Sequence, residues 1–588
     1  MAEQPPDAVR AVVRAATGWL AGVLLAAVVS LPWAVEQAVE GASFEDRVGT
    51  LPVEISLAHD GYTTLDTGLL GKVYWRRTGP GGFGAVLRST GPPIAGGTLA
   101  SYASPAFVQA NTRFLDDPEQ LASTYGAELR GQVVEGTLVR AAVGGVVGGT
   151  VLALTWSAMA TRTRRRRWVV AGAVVALGAG SSLGVGWALF RSWEGHVAPG
   201  TTYPLPSRPA LAFSSPQARE LAVQVQPFIE KNARRIRERG DAYRAEARAT
   251  LAAQISARGE ELQPREGEVI VLAEADPQGS FVGVDVRRDL YAALAEVLPE
   301  GSVVLRTIAG DVTSNGTVAE AEFVRDEATV TPDVPVVAAK GDHDTDTTVE
   351  QLLDAHLTVP DTELVDAGGL RVASARDPAF KALFGGLVVN DTGLTEDDIG
   401  ERLRAVVDEE VAAGTAPRLS ADASDLGSTD DPAAVTAPPS VTVVLHQPRA
   451  VAGYLGADLD LVRDRPASLT TPVDDGIPDL PPGIVTYGHL HDAAGPWVVW
   501  NTDGDVVTWT VITQLGTAGG VEENPTFNRF STPFSAPLKT LSVQLQYVNA
   551  ETGLQTGLVP ITFTPGGEAS IGGRVDVGLP GGVPTPAR

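Results

Sequence analysis

Three long uncharged runs constrain this chain more than any other feature of it. Residues 15–35, between Arg14 and Glu36, are 21 uncharged and mostly apolar residues. Residues 141–161, between Arg140 and Arg162, are another 21, and residues 168–190, between Arg167 and Arg191, are 23. An α-helix of about 20 residues crosses roughly 30 Å of hydrocarbon, so each run predicts a membrane span. Buried core helices seldom run so far without a charge. The second and third runs are also rich in Gly and other small residues, which lets membrane helices approach closely.

The connection 162–167 carries Arg162, Arg164, Arg165, Arg166 and Arg167. Five Arg in so short a loop place it in the cytoplasm by the positive-inside rule, and Arg10 and Arg14 agree. The expected order is then a cytoplasmic N-terminus at 1–14, a span at 15–35 and an outside segment at 36–140. A span at 141–161, the cytoplasmic loop 162–167 and a span at 168–190 follow. Everything after Arg191 lies outside. The first run is longer than the apolar part of a signal peptide and reads as a retained anchor. Three spans without one internal charge offer no ion path, which argues against a transporter.

Charge separates the chain further. Residues 1–191 carry a net +2 and residues 192–588 a net −28, within a total of −26. So acidic a block repels nucleic-acid phosphate, and nucleic acid is set aside as a partner. The chain has no Cys, so disulfides, thiolate metal sites and a Cys nucleophile are excluded. Any metal must be held by carboxylates and by members of a set of only seven His.

Outside the membrane the pattern changes along the chain. Residues 36–140 alternate apolar and polar residues in VEISLAHDGYTTLD and GKVYWRR and read as a small β-rich module. VAPGTTYPLPSRPA reads as a linker. Residues 215–263 show helical spacing with mixed charges, predicting a solvated stalk helix broken at Gly240, so that 191–265 holds the next domain away from the bilayer. From 266 to 565 short apolar runs alternate with helical segments: VIVLAEA, VVLRTIAG, VPVVAAK, VTVVLH and GIVTYGH. This is an α/β pattern, and catalytic loops in such sheets lie at the carboxyl ends of strands. Residues 413–439 read as a flexible acidic loop and 457–482 as a further insertion. Residues 566–588 read as a flexible tail.

The strand ends hold Asp276-Pro277-Gln278, Gly310-Asp311, Gly341-Asp342-His343-Asp344, His446 and Gly488-His489-Leu490-His491. Each piece alone is weak evidence, but four of seven His in this order is a specific combination. The series resembles the calcineurin-like metallophosphoesterase superfamily, whose pattern is D-x-H, G-D, G-N-H-D, a lone His and G-H-x-H, each after a strand. The resemblance covers about residues 266–520, and TSNGTVAEAEF, PVV and ARDPAF agree as context.

The resemblance implies an α/β fold, a four-layer α/β/β/α sandwich, and a membrane-anchored extracytoplasmic enzyme hydrolysing a phosphate mono- or diester. It implies two divalent ions, with Mn, Fe or Zn suiting an oxygen and nitrogen donor set. Asp276, Asp311 and His491 would serve one ion; Asp311, Asp342, His446 and His489 the other, with Asp311 bridging. His343 would stand beside the phosphate as the proton donor, oriented by Asp344.

Two positions depart from the pattern. Gln278 replaces an imidazole with a poorer amide ligand, and Asp342 replaces Asn with an added negative charge. The first ion's site is therefore expected to be weak or empty. The first motif also admits a second register, in which Glu274 and Asp276 take the places of Asp276 and Gln278. The alternative function is a catalytically degenerate fold acting as a cell-envelope binding or scaffold module. His59, His196 and His356 read as ordinary surface residues.

Overall fold

The computed structural model describes residues 7–48, 51–58, 62–66, 71–76, 84–90, 118–159, 163–193, 200–381, 388–413, 440–463, 480–503, 506–521 and 537–577. His59, His196, the loop 414–439 and residues 464–479 of the second insertion lie outside them. The chain is mixed α/β and divides into two compact units, Met1–Pro93 with Arg113–Phe228, and Ile94–Thr112 with Ile229–Arg588.

The first unit contains helix α1 (Asp7–Glu40), strands β1 (Ser43–Val48), β2 (Leu51–Ala58), β3 (Tyr62–Asp66), β4 (Lys72–Arg76) and β5 (Gly84–Ser89), helices α2 (Pro118–Ala158) and α3 (Arg164–Trp193), and strands β6 (Tyr203–Leu205) and β7 (Arg208–Phe213). Three helical segments, Ala15–Glu40, Thr124–Ala158 and Arg164–Gly184, are long and apolar enough to cross a membrane. Their large apolar side chains face outward; Leu24, Leu154 and Leu177 are 62%, 65% and 74% exposed. A continuous exposed apolar surface of this kind suits lipid rather than water. Gly145, Gly148 and Gly149 of α2 lie against Val23, Ala26 and Ala27 of α1, so small side chains bring the two backbones together.

Two expectations change here. Residues 118–140 are helical and belong to α2, so among the described residues the strands of 36–140 fall within 43–89. The stretch read as a linker holds β6 and β7, which complete a seven-stranded sheet of order β1-β2-β5-β3-β4-β7-β6. Its prolines obscured it; Pro204 sits on the edge strand β6, where a missing N–H is tolerated.

Helix α4 (Pro216–Arg258) is one helix of 43 residues that Gly240 does not break. In the second unit its later turns are not a solvated spacer. Tyr243, Ala247 and Leu251, four residues apart, are buried in the same cluster as Leu272, Leu290 and Phe563. Arg248 Nη2 also donates to Asp289 at 2.9 Å, and Thr250 Oγ1 to the Gly567 carbonyl at 3.1 Å.

The rest of the unit runs β8 (Glu268–Glu274), α5 (Phe281–Val297), β9 (Val303–Ile308), α6 (Ala321–Ala328), β10 (Val336–Ala338), α7 (Asp346–Asp354), β11 (Glu363–Ala367), β12 (Leu370–Ser374), β13 (Phe380–Lys381), β14 (Val388–Val389) and α8 (Glu396–Ala413). It continues with β15 (Val441–Val444), α9 (Pro448–Leu455), α10 (Leu459–Arg463), β16 (Gly483–Tyr487), β17 (Ala494–Asp503), β18 (Val506–Gln514), β19 (Leu541–Asn549), β20 (Gln555–Phe563), β21 (Ala569–Ile571) and β22 (Val575–Asp576). The last two strands pair with β20, so residues 569–576 of the expected tail are strand-bearing, and residues 578–588 lie outside the described residues.

Two sheets carry the fold, ordered β10-β9-β8-β19-β20-β21 and β11-β12-β15-β16-β18-β17. The five apolar runs of the sequence are β8, β9, β10, β15 and β16, parallel within their sheets. Alternation along the strands divides their faces. Ile270, Leu272 and Ile308 join a cluster with α5, α6 and α7. Val271, Ala273 and Leu305 share a cluster with Val372, Val444 and Ile484 of the second sheet. Val443, Val485 and Tyr487 face Leu403 of α8 and Val451 of α9.

Four fully buried charges tie β8 and β9 to the helices. Arg287 reaches Glu274 and Glu327 at 2.6 Å each, and Arg306 reaches Glu274 at 3.0 Å and also contacts Glu327. Burial alone would push the Glu274 carboxyl up, but Arg287 and Arg306 outweigh it and hold it below its ordinary value. Replacing Arg287 by Met would strand buried carboxylates, and we expect a loss of about 3–5 kcal/mol, read as a lowered thermal midpoint. An unchanged midpoint would show that the four charges are not so coupled.

Candidate metal centre

Each strand of the five ends in a turn that carries a polar residue into one place. The backbone is strained there. Asp276, Gln278, Asp311, His489 and His491 all have positive φ, at 51°, 42°, 51°, 71° and 58°. Side-chain-bearing residues rarely adopt this region, and such outliers cluster at functional sites. The motif glycines are required by close approach. A Cβ on Gly310 would fall onto the His446 ring, and one on Gly341 onto the backbone and carboxylate of Asp311.

Asp311, Asp342, His446 and His489 each offer a ligand atom within 4.8 Å of the others, and so do Asp276, Asp311 and His491. These are the two groups expected from the sequence, sharing Asp311. His446 Nε2 lies 3.1 Å from Asp342 Oδ1 and 3.3 Å from Asp311 Oδ1. His489 Nδ1 lies 3.5 Å from Asp342 Oδ1, and His491 Nε2 lies 3.9 Å from Asp276 Oδ1. The imidazoles are aimed by backbone carbonyls. His446 Nδ1 donates to Ala309 O at 2.9 Å and His491 Nδ1 to Val521 O at 2.7 Å, which leaves each Nε2 facing the carboxylates.

The registers of the first motif are now distinguishable. Glu274 belongs to the Arg287–Arg306 network on the helical side of β8. Asp276 instead accepts from the His489 backbone N–H at 3.0 Å, inside the cluster. Gln278 stands beside it, its Nε2 donating to Asp311 Oδ2 at 3.1 Å.

Burial and neighbouring charges shift the titration of most of these groups. Burial pushes the Asp276 carboxyl well above its ordinary value; His446 pulls it down, and Asp311 pushes it further up. Burial would also raise Asp342, but hydrogen bonds from His446 and His489 hold it well below. Burial lowers His446, and the nearby Asp311 and Asp342 overcome this to raise it well above the usual imidazole value. His491 is lowered to about 4 by burial. Three carboxylates in a dry space call for positive charge. The donor set is hard oxygen and imidazole nitrogen without sulfur, and Gln278 Oε1 is buried without a hydrogen-bond partner. These residues fit a divalent cation.

The residue expected to donate a proton has a fixed orientation. His343 Nδ1 donates to the Lys381 carbonyl at 2.5 Å, and its Nε2 lies 3.8 Å from Asp311 Oδ2. Asp344 does not supply that orientation. Its carboxylate accepts from Val312 N, Thr313 N, Thr313 Oγ1 and Gly341 N at 2.8–3.1 Å, tying the loops after β9 and β10 together. Sequence reasoning missed this because backbone donors leave no residue signature. His356 is exposed, as expected of an ordinary surface residue.

The shared carboxylate gives the sharpest test. Asp311→Asn is expected to remove divalent-metal binding from both groups, whereas His491→Ala spares the group around His446. Metal titration of the purified chain, with elemental analysis, checks this; equal losses in the two variants would contradict the shared role. No protein-family model matches the chain, and no curated protein matches it either.

Proposed function

We propose that this chain is a membrane-anchored metallophosphoesterase, its α/β domain lying outside the cytoplasm and hydrolysing a phosphate mono- or diester. The observation that carries the reading is the convergence of two ligand groups on one shared carboxylate, Asp311. The resemblance of the five strand-end motifs to the calcineurin-like superfamily supports it. So does the pair of sheets joined by a common cluster with helices on their other faces, which we read as the four-layer sandwich.

Asp276, Gln278, Asp311 and His491 would hold one divalent ion, and Asp311, Asp342, His446 and His489 a second, with Mn, Fe or Zn suited to these donors. Bound there, the ions would polarise a phosphoryl oxygen and make a water acidic enough to attack at neutral pH. The protein's own groups do the rest. The Lys381 carbonyl holds the Nδ1 proton of His343, so that Nε2 is the nitrogen turned to the reacting group; with the ring as imidazolium, the Nε2 proton passes to the leaving oxygen and the ring is left as the Nδ1–H form. Burial of the carboxylates keeps bulk water from screening the charge that develops on the phosphate.

One observation favours the second reading, a degenerate binding module. The amide nitrogen of Gln278 donates to Asp311 Oδ2 at 3.1 Å, and an amide is a poorer ligand than the imidazole of the motif it resembles. Activity decides between them. The purified full chain in detergent is expected to hydrolyse an aryl phosphate or an aryl phosphodiester with added Mn, and His343→Ala to lower kcat roughly 100-fold or more. No turnover with any metal, and no gain from Gln278→His, would favour the binding module.

The absence of native Cys makes orientation testable too. Glu300→Cys, on an exposed position of the α/β domain, is expected to react with a membrane-impermeant maleimide in intact cells. Arg165→Cys is expected to react only after lysis. The reverse pattern would put the domain in the cytoplasm.

A further inference from the structure

The residue before the third motif is Lys340, buried at 7% exposure in a domain whose net charge is strongly negative. Its ammonium has no carboxylate within 4.0 Å among the described residues, and the Asp377 carboxyl acts on it from further off. Instead Nζ donates to the Asp377 carbonyl at 2.9 Å and reaches the Ala379 carbonyl at 3.5 Å. Burying an ammonium on two carbonyls costs free energy unless it secures something in return.

What it secures lies four residues further along. Asp377 N donates back to the Lys340 carbonyl at 3.0 Å, and Lys381 N donates to the Asp342 carbonyl at 2.5 Å. The Lys381 carbonyl then receives the His343 Nδ1 proton. Residues 377–381 are thus clasped onto the third-motif loop, and the clasp ends on the imidazole. The segment continues into β13, which pairs with β14 over two residues. The Asp377 carboxylate caps its own turn, Oδ1 accepting from Ala379 N at 2.9 Å.

We propose that Lys340 is a positioning residue for His343: by anchoring residues 377–379 it sets the Lys381 carbonyl against Nδ1 and keeps Nε2 facing Asp311. A neutral imidazole carries its proton on the nitrogen that has the hydrogen-bond acceptor. Free imidazole side chains favour the Nε2–H form, so the Nδ1–H form at His343 has to be imposed. Lys340 imposes it through the clasp. The consequence for turnover rests on the phosphoesterase reading; the consequence for the tautomer does not.

The test uses the full chain in detergent with nitrogen-15 labelled histidine, with and without added zinc, at a pH where the ring is neutral. His343→Gln assigns the resonance. Wild type is expected to show His343 as the Nδ1–H tautomer, Lys340→Met to shift it toward Nε2–H, and Lys340→Arg to keep it near wild type. In parallel Lys340→Met is expected to lower kcat about 10-fold with KM little changed, as for other partners that orient a site residue indirectly. An Nε2–H tautomer in wild type, or an unchanged tautomer in Lys340→Met, overturns the proposal. If Lys340→Met does not fold, Lys340→Gln is read in its place, with the same shift expected. A wild type without turnover defeats the phosphoesterase reading and leaves the tautomer to judge Lys340.

Discussion

Three aspartates, Asp276, Asp311 and Asp342, meet in a space that excludes water, and the architecture around them follows from that meeting. Like charges so close in a low dielectric repel by several kcal/mol unless cations or protons intervene. The protein meets this with imidazoles from the far sheet, His446 after β15 and His489 and His491 after β16. It also meets it with backbone N–H groups: His343 N donates to Asp311 and His489 N to Asp276. Both sheets must therefore keep a fixed mutual register, and the cluster of Val271, Ala273, Val444 and Ile484 between them provides it.

The strained turns have the same origin. A strand carries its residues i and i+2 to one face, so Glu274 and Asp276 are equivalent by alternation. The positive φ of Asp276 breaks that equivalence. It sends Asp276 into the cluster while Glu274 stays with Arg287 and Arg306 across the sheet. Two acidic residues a dipeptide apart thus enter different electrostatic surroundings, one among guanidiniums and one among imidazoles. This is why the sequence left the register of the first motif open: alternation cannot reveal a single left-handed residue.

Legibility followed the same division. The apolar runs that became β8, β9, β10, β15 and β16 were readable because burial on both faces demands continuous Val, Ile and Ala. Six positions that could hold a metal, Asp276, Asp311, Asp342, His446, His489 and His491, were readable because metal chemistry restricts the residue types. Features that depend on backbone partners were not. Asp344 pairs with four donors on two loops, and His343 is oriented by a carbonyl, neither of which any residue identity announces. Strands β6 and β7 were hidden by prolines that an edge tolerates, and the burial of Tyr243, Ala247 and Leu251 by the charges that surround them in α4.

Asp342 and Gln278 act in opposite directions on the two candidate ligand groups. Asp342 gives the group around His446 and His489 a second carboxylate, so that two anions and two imidazoles face one another. Gln278 leaves the group around His491 with an amide where an imidazole would be, and its N–H already engages Asp311. A cation at the group around His446 would meet two carboxylates and two imidazoles; one at the group around His491 would compete with that N–H for the shared carboxylate. The asymmetry lies in the protein and precedes any metal, so the two positions cannot fill with equal ease. Charge added at Asp342 strengthens binding but weakens the ion as a Lewis acid, since more of its field is already neutralised. Tight holding and strong polarisation would pull against each other in the group around His446, and Asp342 is the residue that sets that balance.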